Sequence, residues 1–193
     1  MFRKYPVINH ILIVGKPGTY KDVTAVKFCF DRQISKDAMI YSNLNLVMKH
    51  KVISNIDDII NLHGDNWNPS TFYYHDIGNL FHSRNFKAKG SIVDARKSLV
   101  NNYRKRGINI IGTLHRENEI DIEIRRIMDV FVYPYVVNNG DADNMEDDIV
   151  VLRWYNKPDQ YEDGIKPYCI SYYDHPERYA VLYDTLQEAE TLK

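Results

Sequence analysis

The sequence predicts an α/β fold: a mainly parallel β-sheet with helices on both faces and antiparallel strands at one edge. Three observations lead there. Apolar, β-branched runs such as VINHILIV (residues 7–14) and INIIGT (residues 108–113) read as strands buried on both faces. Segments with helical spacing separate these runs, an order that calls for crossover connections and hence parallel pairing. The runs at 130–137 and 149–155 are instead joined by an acidic turn, and a further run follows at 169–173, which predicts antiparallel pairing at one edge.

Composition bounds the rest. The chain has 193 residues, 44% of them apolar and 26% charged. At about 150 residues per domain this predicts one domain over residues 1–193, long enough to bury a core without disulfides. No apolar run approaches the ~18 residues of a membrane span. The start, Met1-Phe2-Arg3-Lys4-Tyr5-Pro6, lacks the apolar stretch of a secretory signal, so a cytoplasmic protein is expected. Cys29 and Cys169 are too few and too distant for a zinc knuckle or a disulfide framework. The net charge of −1 hides an asymmetry. Residues 1–115 carry 17 Lys and Arg against 8 Asp and Glu, whereas residues 116–193 carry 8 against 18. A basic face able to meet a polyanion is one consequence.

The elements follow in order. After the first strand, residues 15–22 form a loop with two glycines and a proline. Residues 23–32 read as a helix, with Val23, Val26, Lys27 and Phe30 on neighbouring turns. Residues 38–41 are a short strand. Residues 55–62 are a short helix, capped by Asn55 with Asp57 and Asp58 in its first turn. TFYYH (residues 71–75) is a strand ending at Asp76. Residues 91–106 form the longest predicted helix. Ser91-x-x-Asp94 resembles a capping box, Ile92, Ala95, Leu99 and Tyr103 make one apolar stripe, and Gly107 supplies the stop. Strand 108–113, helix 121–128 and strand 130–137, interrupted by Pro134, come next. A helix at 186–192 closes the chain.

Ligands of such sheets bind beyond the carboxyl ends of the strands. Three segments lie there. The first is Gly15-Lys16-Pro17-Gly18-Thr19-Tyr20-Lys21-Asp22, which matches the strand–loop–helix pattern G-x-x-x-x-G-K-[ST] at Gly15 and Lys21. Its amides would cradle phosphates and Lys21 would reach the outer ones. Tyr20 replaces the second glycine. Asp22 replaces the hydroxyl that binds Mg²⁺, although a carboxylate can itself take the metal. The second segment is His75-Asp76. Asp76 is a strand-end acid suited to Mg²⁺, expected on a parallel strand adjacent to the first, while alternation sends His75 to the opposite face. Ile77 stands where a Glu that polarises water often follows. The third is His115, placed to bond a terminal phosphate or an attacking water if its strand neighbours that of Asp76.

A separate basic stretch runs through residues 84–106. Arg84, Lys87, Lys89, Arg96, Lys97, Arg104, Lys105 and Arg106 oppose only Asp94, with Phe86 and Tyr103 interleaved. Such a stretch can track the phosphates of double-stranded DNA. Asp141-x-Asp143-x-Met145-x-Asp147 echoes a calcium loop but has Met145 and Glu146 where a ligand and a glycine belong.

The motif order resembles the viral branch of the FtsK/HerA-type P-loop ATPases, which includes genome-packaging ATPases. The pieces are the loop at 15–22, Tyr41-Ser42-Asn43-Leu44-Asn45-Leu46, Tyr73-Tyr74-His75-Asp76, Ser83-Arg84 and Arg104-Lys105-Arg106-Gly107. Thr113-Leu114-His115, Asp121 with Arg125-Arg126, and Leu182-Tyr183-Asp184-Thr185 complete them. The resemblance implies a P-loop NTPase (RecA-like) three-layer sandwich, ATP and Mg²⁺ as cofactors, a homo-oligomeric ring and movement of double-stranded DNA. It also implies capsid or other virion proteins as partners, in a host cytoplasm or virion. Arg125 or Arg126 would reach a neighbouring subunit's nucleotide. The departures at Tyr20, Asp22 and Ile77 fall on the nucleotide chemistry. They leave two expectations: a slow ATPase, or an inactive paralogue serving as a DNA-binding or ring-forming subunit.

Overall fold

A computed structural model describes residues 10–62, 70–82, 91–137, 148–157 and 160–183. Among them eight strands form one sheet: β1 (His10–Val14), β2 (Ile40–Ser42), β3 (His50–Val52), β4 (Ser70–Tyr74), β5 (Ile108–Leu114), β6 (Val130–Val137), β7 (Ile149–Tyr155) and β8 (Cys169–Asp174). The α-helices are α1 (Lys21–Lys36), α2 (Ile56–Ile60), α3 (Ile77–Leu80), α4 (Ser91–Asn102), α5 (Ile122–Ile127) and α6 (Glu177–Ala180). The strand order is β3-β2-β4-β5-β1-β6-β7-β8. Pairing is parallel from β3 through β6 and antiparallel from β6 to β7 to β8, as the sequence predicts.

Alternation along the central strands feeds two cores. Leu12 and Val14 of β1, Phe72 and Tyr74 of β4, and Ile108 and Ile110 of β5 pack under α2, α3, α4 and α5. Ile11, Ile13, Tyr73 and Ile111 point to the other face, against Ala25, Val26 and Cys29 of α1 and Tyr179 of α6. The result is three layers. Leu12 and Ile13 are fully buried, and each such side chain contributes about 1.5–3 kcal/mol of transfer free energy.

Several expectations change. The strand of Asp76 is parallel to β1 but not adjacent to it, because β5 pairs with both β1 and β4. Crossover connections fix strand direction, not neighbour order. Gly112 lets β5 fit there: a Cβ on it would lie 3.0 Å from Ile77 Cγ2 and 3.2 Å from Leu12 Cδ1. The helix predicted over 91–106 ends at Asn102, and Arg104–Arg106 forms a separate 3₁₀ turn. Tyr103 breaks it. Its side chain is fully buried, its hydroxyl donates to the Ile59 carbonyl at 2.8 Å, and its ring meets Phe72 edge-on. Gly107 then closes the turn at φ 66. The Asn55 cap forms as predicted and pairs with Asp58 in a capping box. Strand β3 and helices α3 and α6 have no counterpart in the sequence reading. Residues 7–9, the acidic turn at 141–147 and the helix at 186–192 lie outside the described residues, as does the side chain of Ser91.

Candidate phosphate-binding site

The loop after β1 is shaped by its glycines and by one unusual tyrosine. The Gly15 amide donates to the Leu114 carbonyl at 3.0 Å, tying the loop to the end of β5. A Cβ on Gly15 would run into Thr19 Oγ1. That hydroxyl instead donates to the Lys16 carbonyl at 2.8 Å. Gly18 takes φ +82 and Tyr20 takes φ +58, both left-handed. Position 20 is the one the motif gives to glycine, and this φ is the physical reason. Tyr20 adopts it at a steric cost. Its hydroxyl donates to Asp148 at 2.7 Å, and burial, with the Asp148 carboxylate, pushes its pKa up to about 12. Helix α1 starts at the next residue, so its free amides face the loop.

Lys21, Asp22, His75, Asp76 and His115 gather beyond the ends of β1, β4 and β5. Lys21 Nζ lies 2.8 Å from Asp22 Oδ2 and 4.0 Å from Asp76 Oδ1, and its side chain is only 7% exposed. His75 Nδ1 lies 2.9 Å from Asp22 Oδ1. His75 Nε2 is 3.5 Å and His115 Nε2 is 3.8 Å from Asp76 Oδ2. These groups, with Lys16, Pro17, Gly18, Tyr20, Val23 and Tyr183, line a cavity of about 370 Å³. Burial alone would raise the Asp22 pKa, but the His75 hydrogen bond and the charges of His75 and Lys21 outweigh it and hold it at about 2. Burial alone would likewise lower His75, and the bond to Asp22 with that carboxylate's charge raises it instead.

His75 therefore shares the cavity with Asp76, against the alternation argument. Strand β4 ends at Tyr74, and Asp76 turns into the left-handed region at φ 50, so strand alternation no longer applies. The same turn sends Ile77 into the core, where it is fully buried against Gly112. An acid at position 77 would lie in the apolar layer and not at the site, so the missing Glu cannot be restored there. Two residues hold the turn that no motif singled out for a role. Asn43 clamps the His75 backbone, accepting from its amide at 2.7 Å and donating to its carbonyl at 3.2 Å. Thr113 Oγ1 accepts from the Asp76 amide at 3.1 Å. Both stand at carboxyl ends of strands, the signal that could have found them.

The donor set bears on Mg²⁺. Asp76 Oδ1 is buried with no hydrogen-bond partner, which suits an ion. Both Asp22 oxygens are already engaged, by His75 and Lys21. Among the described residues no group of three or more His, Cys, Asp and Glu could hold a metal ion. Mg²⁺ held by one carboxylate, waters and substrate phosphates needs no such group.

The described arginines and lysines of the other predicted sets are not among the residues that line this cavity. Arg125 and Arg126 are on α5, with Arg126 exposed. In the basic stretch, Arg96 pairs with Asp121 at 2.8 Å, Arg104 with Asp129, and Arg106 donates to the Ile60 carbonyl at 2.6 Å. Lys97 and Lys105 are exposed. Arg84, Lys87 and Lys89 lie outside the described residues, as do Asp184 and Thr185.

The sheet order and the loop between β1 and α1 define a P-loop NTPase (RecA-like) fold. Solved structures share it. The N-terminal domain of zonular occludens toxin from Neisseria meningitidis superposes with a TM-score of 0.62 at 16% identity, over 92% of this chain and 99% of that one. The genome packaging NTPase B204 from Sulfolobus turreted icosahedral virus 2, in complex with ATP-gammaS, gives 0.53 at 15%, over 86% and 92%. The flagellar accessory protein FlaH from Methanocaldococcus jannaschii gives 0.55 at 10%, over 86% and 84%. No family model and no curated protein matches the sequence. No helix among the described residues is long and apolar enough to cross a membrane.

Proposed function

We infer that the chain is a nucleotide-binding P-loop protein of the FtsK/HerA type, related to viral genome-packaging ATPases, that takes ATP with Mg²⁺. The convergence of Lys21, Asp76 and His115 on one cavity at the amino end of α1 carries this reading. The loop amides and Lys21 would hold the phosphates. Asp76, whose Oδ1 makes no hydrogen bond and lies 4.0 Å from Lys21 Nζ, would hold Mg²⁺, which neutralises charge on the outer phosphates when bound. His115 would bond the terminal phosphate. Asp22 makes hydrolysis slow: it occupies Lys21 and adds a negative charge beside the phosphates. In this reading the chain acts on double-stranded DNA as a ring of subunits, and the likeness in fold to a genome packaging NTPase is in keeping with it. Lys97 and Lys105 would then be exposed phosphate contacts, with Arg126 offered to the next subunit. This role suits a virion or host cytoplasm and fits the whole chain acting as one P-loop domain.

A second reading, a non-hydrolysing DNA-binding or ring-forming paralogue, is favoured by one observation: Ile77 is buried where no water could be oriented. Calorimetry with ATP·Mg²⁺ tests the first reading. Binding is expected, with Lys21→Ala weakening it at least tenfold. Absence of binding by the unmodified protein overturns the reading. Turnover lost in Lys21→Ala would exclude the paralogue.

A further inference from the structure

Asp148 is not among the residues lining the phosphate cavity, yet it grips the loop that does. It stands one residue before β7, in the antiparallel part of the sheet, and is 6% exposed. A carboxylate at that depth needs a partner. The Tyr20 hydroxyl, 128 positions away in the chain, donates to it at 2.7 Å. Tyr20 is held at two further points. Its carbonyl accepts from the Thr24 amide at 2.9 Å and from Thr24 Oγ1 at 2.8 Å, and that hydroxyl lies 3.0 Å from the Tyr173 hydroxyl of β8. Its ring packs, half-buried, on the core that Val150, Leu152 and Tyr173 share with α1. Both ends of the residue are thus fixed while its backbone holds φ 58. A residue with a Cβ keeps such a φ only where its surroundings hold it there. Glycine needs no such anchor.

We propose that Tyr20 is a positioning residue for phosphate binding and that Asp148 is its anchor. The Tyr20–Asp148 bond does for this loop what the conformational freedom of glycine does in the motif. It ties the loop to the start of β7 and keeps the first amides of α1 turned towards the cavity. Without it, position 20 relaxes towards the negative φ that residues with a Cβ prefer, and only part of the population keeps a loop fit to hold phosphate. The role in binding rests on the phosphate reading above; the hold on the loop does not.

Two measurements on the full chain test this: calorimetry with inorganic triphosphate, and hydrogen exchange over residues 15–24. Tyr20→Phe removes only the hydroxyl, and Asp148→Ala removes its acceptor. Each is expected to weaken triphosphate about tenfold, as when about a tenth of the loops stay competent, and to speed exchange. The two changes together do no more than either alone. Asp148→Asn keeps an acceptor oxygen for the Tyr20 hydroxyl and restores both readouts. In a Tyr20→Gly background, Asp148→Ala moves neither readout. A general loss of stability through Asp148 would act alike in the tyrosine and glycine backgrounds, so equal weakening in both overturns the proposal. So does a Tyr20→Phe chain that binds and exchanges like the unmodified protein. An unmodified protein that binds no triphosphate defeats the phosphate reading; faster exchange in Tyr20→Phe then still upholds the anchor, and unchanged exchange overturns it.

Discussion

Asp22 is the residue on which the behaviour of the site turns. It binds Lys21 through one oxygen and His75 through the other, so a phosphate must compete with an internal carboxylate. Asp22→Asn keeps the size of the side chain and removes the charge. We expect it to tighten inorganic triphosphate about tenfold, since one opposing charge at contact distance is worth one or a few kcal/mol in a partly solvated site. Isothermal calorimetry reads this directly, and an unchanged affinity would mean that Asp22 does not compete. The same carboxylate sets a pH dependence. Its folded pKa of about 2 lies below the ordinary 3.8, so its contribution is complete above that ordinary value and is lost as pH falls through the folded one. The shift corresponds to about 2 kcal/mol. His75 acts in the opposite sense: its raised pKa gives stability below its ordinary 6.5 that disappears as pH climbs through the folded value. Urea unfolding between pH 5 and pH 2 should show a shallower acid loss in Asp22→Asn than in the unmodified protein.

At the scale of elements, the site depends on how tightly β5 lets α3 approach. Gly112 is the contact point, and the fully buried Ile77 packs on it from the turn that carries Asp76. Gly112→Ala would press a methyl into Ile77 and Leu12. We expect a loss of about 1–3 kcal/mol in stability, together with weaker Mg²⁺-dependent nucleotide binding, because the displaced turn is the one that aims Asp76. A variant with unchanged melting and unchanged binding would show that the contact relaxes freely. The arginines after α4 are a second element-level feature. Arg106 donates to the carbonyls of Ile60 and Leu62 at the end of α2. Arg96 joins α4 to the amino end of α5 through Asp121. Arg106→Ala should lower stability by about 1–3 kcal/mol, a change visible in thermal melting.

The whole molecule presents a basic segment next to a sheet whose carboxyl ends hold the site. Arg96, Arg104 and Arg106 are engaged within the protein, so Lys97 and Lys105 are the exposed cations of the described stretch that lie outside those bonds. Lys97→Glu with Lys105→Glu should weaken duplex DNA binding and reduce its salt slope by about 2, with melting unchanged. Fluorescence anisotropy at several salt concentrations measures both. Equal affinity in the double variant would remove these two lysines from the DNA surface. Arg96→Glu, by contrast, should also lower the melting temperature, because it breaks an ion pair between helices.

The sequence by itself determined the layer architecture, the sense of the strands, the antiparallel edge and the loop that carries Lys21. These follow from local periodicity and from glycines at positions that need them, and both are written in short windows of residues. It also set Asp76 and His115 at the ends of two strands, and left their meeting conditional on those strands being neighbours. Only the tertiary structure decided that β5 stands between β1 and β4, that His75 joins the site and that Ile77 leaves it. A left-handed turn at Asp76 and a close approach at Gly112 produce these outcomes. Neither has a signature in alternation, since each depends on what packs from the far side of the sheet. The same holds for the basic stretch. Its charge was legible, but which arginines face solvent depended on the carboxylates and carbonyls that α2 and α5 bring against them.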